Sequence, residues 1–193
     1  MEFLVPTVII ASVAIGIYAV LTYNRLIKAR EMVGEAWSGM DVQLKRRSNL
    51  IPNLVETVKA YAEHERDTFE RAAAARSAAD ETPNDDVTQR AETEGGVVVA
   101  MGRLLAVAED NPDLRASESF RDLQGNLERI ETDLQHARRY FNATVRDLNT
   151  RIDSFPSNLL AQRLGWSPVE YFEIQNDADR AVPTVDFNTR GAP

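Results

Sequence analysis

The chain has no cysteine. A disulfide framework and a lipoprotein anchor are therefore both excluded. Histidine is almost as scarce, with only His64 and His136. A di-iron site in a helical bundle takes carboxylates plus Glu-x-x-His motifs from two helices. The residue three before His64 is Tyr61, and that before His136 is Asp133. One Asp-x-x-His on one helix is not that motif, so no metal site is expected, and both histidines read as surface residues among polar neighbours. Phosphate loops, nucleophile elbows and paired cysteines are also missing, so no catalytic residue and no cofactor is expected. Basic charge is in deficit: Lys+Arg is 22 against Asp+Glu 30, a net charge of −8. A nucleic-acid binder presents a basic face, so no nucleic-acid partner is expected. Lysine occurs only at Lys28, Lys45 and Lys59. That balance fits either a salt-rich cytoplasm, where salt screens the excess negative charge, or a genome favouring arginine.

One stretch lacks charge altogether. From Phe3 to Asn24 every side chain is neutral and most are apolar. An α-helix needs about 20 such residues to cross a bilayer core. The stretch is long for a signal peptide, has no basic segment before it, and ends without a small-x-small cleavage site. Residues 1–24 thus read as an uncleaved anchor contacting the lipid bilayer through residues 3–24, with Tyr18 and Tyr23 suited to an interface. Arg25, Lys28 and Arg30 follow directly. The positive-inside rule then places the amino terminus outside and the rest in the cytoplasm, as a single-pass cell-membrane protein.

Residues 25–174 read as an all-α domain. Val33, Trp37, Met40, Leu44 and Ile51 recur in steps of three, four or seven, the stripe of a helix packed against partners. The stripe continues through Val55, Val58, Ala62 and Phe69, so one interruption is expected before Ala79, at Pro52. Proline lacks the N–H that a helix interior needs, and should kink the helix or start a second one near Asn49. Residues 80–86 form a loop, with Asn84 or Asp85 able to cap a helix from about Val87 to Glu109. Gly95, Gly96 and Gly102 weaken that helix or admit a close neighbour. Asn111 and Pro112 then suit an N-cap and first position. The clearest periodicity follows: Phe120, Leu123, Leu127, Ile130, Leu134, Ala137, Phe141, Val145, Leu148, Ile152 and Phe155. If unbroken, this coiled-coil-like helix has about 42 residues. Long amphipathic helices with short connections make an elongated antiparallel bundle, here of three long helices. Pro156 stops the last of them. A short helix over residues 157–164 with Gly165 as its cap is expected, and then Trp166, Tyr171 and Phe172 dock on the bundle end. Residues 175–193 read as an extended or mobile tail.

Two groups of polar residues have more than one reading. Asn49, Asn53, Asn142, Asn149 and Asn158 either pair across helices to set register, cap the breaks at Pro52 and Pro156, or meet a partner. Lys45, Arg46 and Arg47 read as a solvated face with local ion pairs, against the alternative of an acidic partner.

Several phrases resemble the LemA family of membrane proteins. They are Tyr23 to Arg30, Ala36-Trp37, Asp41 to Arg47, Leu50 to Lys59, Phe155 to Leu159 and Glu170 to Glu173, with Pro183, Val185 and Phe187 beyond. The resemblance implies an amino-terminal transmembrane helix, a long-helix bundle in the cytoplasm, and no established enzymatic activity. Family members commonly repeat a Tyr-Asn pair one heptad apart in the third helix. Here the pairs are Phe141-Asn142 and Leu148-Asn149, so the amides are kept and the hydroxyls are not. Two roles remain open. One is a membrane-tethered scaffold that binds unidentified membrane or envelope proteins, or a homo-oligomer, through its end aromatics and tail. The other is a relay of membrane events through a helix continuous with the anchor.

Overall fold

The computed structural model describes residues 3–174. Helix α1 runs from Leu4 to Lys59, 56 residues without interruption. Its length is about 84 Å at 1.5 Å per residue. Pro6 lies in the first turn, where its missing N–H costs nothing. The hydroxyls of Thr7 and Ser12 donate to the carbonyls of Phe3 (2.6 Å) and Val8 (2.9 Å), so these two polar groups of the apolar stretch are satisfied within the helix. Among the described residues α1 is the one helix long and apolar enough to cross a membrane, and that stretch is uncovered by the rest of the chain. The first buried residue is Thr22, followed by Leu26, Ala29, Val33, Ala36, Met40 and Leu44. The helix thus emerges from an uncovered stretch and enters a core without a break.

Pro52 does not start a new helix. It sits half-buried inside α1, between Ile51 and Leu54, which are both buried. Burial of these flanking residues and of Val58 outweighs one lost backbone bond. The break comes instead at residues 60–65, where neither proline nor glycine marks it. Helix α2 (Arg66–Glu81) then returns along α1. Its buried residues, Phe69, Ala72 and Ala79, are mostly small, which lets its backbone lie close. Helix α3 (Val87–Glu109) turns back again, capped by Asp86, whose carboxylate accepts from the Gln89 N–H at 2.8 Å. Asn84 and Asp85 are not the cap.

The short helix α4 (Pro112–Ala116) has Asn111 at its N-cap and Pro112 at its first position, as the sequence suggests. It is separate from α5 (Glu118–Asp153), because Ser117 adopts an extended conformation between them. The last long helix therefore has 36 residues, and among the described residues the bundle has four substantial helices rather than three. Helix α6 (Ser157–Arg163) ends at Gly165, whose φ of 70° is the left-handed conformation glycine adopts freely. The Gly165 N–H donates to Gln162 O (3.1 Å) and the Trp166 N–H to Ala161 O (3.0 Å), closing the helix end.

Helices α1 and α5 form the long antiparallel pair at the centre of the fold. Trp37 packs on Phe141 with ring centroids 5.2 Å apart. Ten residues along each helix from that contact, Arg47 meets Glu131 at 3.1 Å. Both contacts belong to one register. Two apolar clusters result. The proximal one joins Leu26 to Leu44 of α1 with Leu134 to Ile152 of α5, Ala161 and Phe172. The distal one joins Ile51 to Val58 with Phe69, Ala72, Val97 to Ala108, Leu114, Phe120 and Leu127.

Candidate functional site

Two asparagines on α5 hold a segment of extended chain. The Asn149 amide donates to Val169 O (2.8 Å) and accepts from the Val169 N–H (2.8 Å). Asn142 does the same with Phe172, at 3.1 and 2.9 Å. An asparagine amide carries donor and acceptor side by side, so it matches the N–H and C=O of one residue in an extended strand. The spacing also matches. Seven helical residues advance about 10.5 Å, and three extended residues advance about 10 Å. The pair is thus a two-rung ladder that grips main chain, independent of side-chain identity.

Side chains of the held segment fill the space around the ladder. Phe172 is 1% exposed and its ring centroid lies 6.0 Å from that of Trp37. Val169 and Ile174 pack against the proximal cluster. On the opposite side Thr88 of α3 hydrogen-bonds Glu170. A Cβ built on Gly95 would meet Ile174 at 3.4 Å, ordinary contact, whereas Gly96 and Gly102 face open space. The segment therefore bridges α3 and α5 along the side of the bundle. Its aromatics do not dock on the bundle end as a group. Phe172 belongs to the core, Trp166 stacks under the Arg30 guanidinium at 5.2 Å, and Tyr171 faces outward.

The other predicted residues divide. Asn142 and Asn149 neither pair across helices nor cap breaks; they bind the segment. Asn49 and Asn53 are exposed, and their side chains make no hydrogen bond among the described residues. Asn158 is half-buried with its Oδ1 unpartnered. Pro156 follows the end of α5 at a cis Phe155–Pro156 bond and is exposed.

Sequence reasoning missed the most buried charge. Arg47 is not on a solvated face: its exposure is 0%. Its guanidinium reaches Glu94 Oε2 of α3 at 2.6 Å and Glu131 Oε1 of α5 at 3.1 Å. Glu94, also buried, meets Arg90 at 3.1 Å, and Arg90 donates to Ala79 O at 2.9 Å. Asp41 lies 3.6 Å from Arg90 and takes Lys45 at 2.6 Å. This ionic layer spans α1, α3 and α5, and its central residues Arg47, Glu94 and Glu131 each fall between the two apolar clusters in sequence on their helix. Such a layer adds little net stability, because each ion gives up its hydration. It penalises any shift of register that would leave a charge unpaired. The one available signal was position: Leu44, Arg47 and Ile51 are three and four apart, so Arg47 lies on the buried stripe.

Among the described residues no three His, Cys, Asp or Glu side chains gather to hold a metal ion. The buried carboxylate of Glu94 is already engaged by two guanidinium groups. The arrangement binds and positions chain.

The sequence profile of the LemA family matches residues 36–187. That range contains the ionic layer, the asparagine ladder and the segment it holds. The chain belongs to the LemA family. Relatives share about a quarter of its residues. Magnetosome protein MamQ of Magnetospirillum gryphiswaldense is 24% identical over 188 residues, covering 85% of this chain and 69% of that protein. Magnetosome protein MamQ 2 of Paramagnetospirillum magneticum gives the same figures. Protein LemA of Metamycoplasma hominis is 24% identical over 168 residues, covering 86% of this chain and 73% of its own length. In this LemA-family chain the asparagines of the third-helix pairs are the clamp residues, and the phenylalanine and leucine beside them lie in the core.

Proposed function

We propose that this LemA-family protein is a non-enzymatic, membrane-tethered interaction module whose bundle stands in the cytoplasm and displays surfaces to membrane or envelope proteins. The observation that carries the reading is the continuity of α1. One helix passes from an uncovered apolar stretch into the bundle core, so the bundle is held at a fixed height and direction from the bilayer. The cations Arg25, Lys28 and Arg30 flank the stretch on the bundle side and favour the cytoplasmic placement. The held segment is not the display surface, since Phe172 is spent in the core. The carboxy-terminal tail, residues 175–193, lies outside the described residues.

Crosslinking in intact membranes, followed by mass spectrometry, tests the module reading. Reproducible protein neighbours, other chains or further copies, are the expected outcome. Recovery of the uncrosslinked single chain across reagents of several lengths argues against it. A cysteine scan of both flanks with an impermeant thiol reagent tests the orientation, and labelling on the bundle side in intact cells contradicts it.

The unbroken α1 also favours a second role, as a relay. A 56-residue helix that joins the span to the ionic layer transmits rotation better than a jointed one. Inserting two residues after Ala29 would turn the span relative to the bundle by about 200° at 3.6 residues per turn. An unchanged phenotype in that insertion removes the relay.

A further inference from the structure

The membrane-proximal end of the bundle carries apolar side chains that the core does not use. The α5 seam runs buried through Ile152, but Phe155, which continues its spacing, is 79% exposed. Leu159, on α6, is 60% exposed. The register between α1 and α5 locates them. Trp37 lies against Phe141, and the helices are antiparallel with equal rise, so Asp153, the last residue of α5, stands level with Arg25, and Phe155 follows two residues beyond that helix end. Arg25 directly follows the charge-free stretch that ends at Asn24.

The bundle also overlaps that stretch. Thr22 is 6% exposed although it precedes the end of the apolar run. The interfacial layer on each side of a bilayer core is about 5–7 Å thick, and the overlap of residues 22–24 is about 3–5 Å along the axis. The end of the bundle therefore cannot stand clear of the bilayer when the span is inserted. Arg25, Lys28 and Arg163 are exposed near the same end, with Asp153 and Glu31 as opposing charges. Apolar side chains beside exposed cations suit the boundary between acyl chains and headgroups.

We infer that the α5–α6 corner is a second membrane contact, with Phe155 and Leu159 seated in the lipid interface beside the span. The inference rests on the membrane-tethered reading above. Two contacts, one through the span and one at the corner, would fix the tilt and rotation of the bundle, which a single helix cannot do alone.

The absence of cysteine makes the test clean. The full chain is reconstituted in phosphatidylcholine–phosphatidylglycerol vesicles with Phe155→Cys, Leu159→Cys, Tyr23→Cys or Tyr61→Cys, each labelled with an environment-sensitive fluorophore. Nitroxide lipids carrying the quencher at headgroup level are then added. Tyr61, exposed at the far end of α1, reports the distal bundle. Loss of emission at 155 and 159 comparable with that at 23, and none at 61, is the expected result. If 23 is quenched while 155 and 159 behave like 61, the anchor stands and the corner contact is overturned. If 23 is not quenched either, the tether itself fails, and the corner contact with it. Disulfide-linked dimers of Phe155→Cys without lipid quenching would assign the patch to a second copy instead, and also overturn it. Circular dichroism of each variant controls for folding, which substitutions at exposed positions should leave intact.

Discussion

The two halves of the bundle solve the same packing problem differently. Near the membrane, α1 and α5 are sealed by extended chain, held through its backbone by Asn142 and Asn149. Far from the membrane, α1 is covered instead by a helix, α2, which also packs on α3 and whose alanines let it approach closely. A helix satisfies its own backbone groups, so it needs only an apolar stripe to dock. Extended chain has unpaired N–H and C=O groups, so it needs partners, and the asparagines supply them. Between the halves lies the layer of Arg47, Arg90, Glu94, Asp41 and Glu131. Polar residues concentrate where the packing changes, not where a reaction takes place.

The contrast can be broken at its centre. Arg47→Ala leaves Glu94 and Glu131 without their shared cation and should cost about 3–5 kcal/mol in denaturation of the full chain in detergent. Replacing Glu94 by glutamine in the same background should recover part of that loss. A cost below that of an exposed ion pair would show that the layer is dispensable. Next in size is Leu104→Ala, which removes a fully buried side chain from the distal core and should cost about 2–5 kcal/mol. Hydrogen exchange should then rise across α2 and α3 more than at Val169 and Phe172. Equal acceleration everywhere would mean that the two cores open as one.

The ladder sharpens the comparison from the other side. Asn149→Ala removes both bonds to Val169 and should destabilise the held segment by about 1–3 kcal/mol. The readout is faster exchange at the Val169 amide with α2 and α3 unchanged. Asn149→Asp should recover only the bond to the N–H, because a carboxylate cannot donate to the carbonyl. The smallest effect expected is Asp86→Ala, which removes the cap of α3 and should cost about 1 kcal/mol, seen as a small shift in midpoint and fraying at Val87 to Arg90.

Much of this protein was legible in the chain. Spacing identified the stripe of α1, the α3 boundaries and most of the α5 seam, because a helix repeats every 3.6 residues and its buried face must repeat with it. The uncharged run identified the candidate span, because length and lack of charge are the requirements a bilayer imposes. The break at residues 60–65 was hidden, since it carries no turn residue. Pro52 did not start the second helix that was one of its two readings, because burial on either side overrides a local preference. The role of Asn142 and Asn149 was open for a different reason. An amide seven residues from another amide marks a face of a helix, and the identity of what lies on that face depends on a segment some 20 to 30 residues away. Arg47 was misassigned because its two carboxylates come from helices 47 and 84 residues distant. Periodicity is local and can be read along the chain; the partner of a polar group is set by which distant residues the fold brings within about 3 Å, and only the tertiary structure decides that.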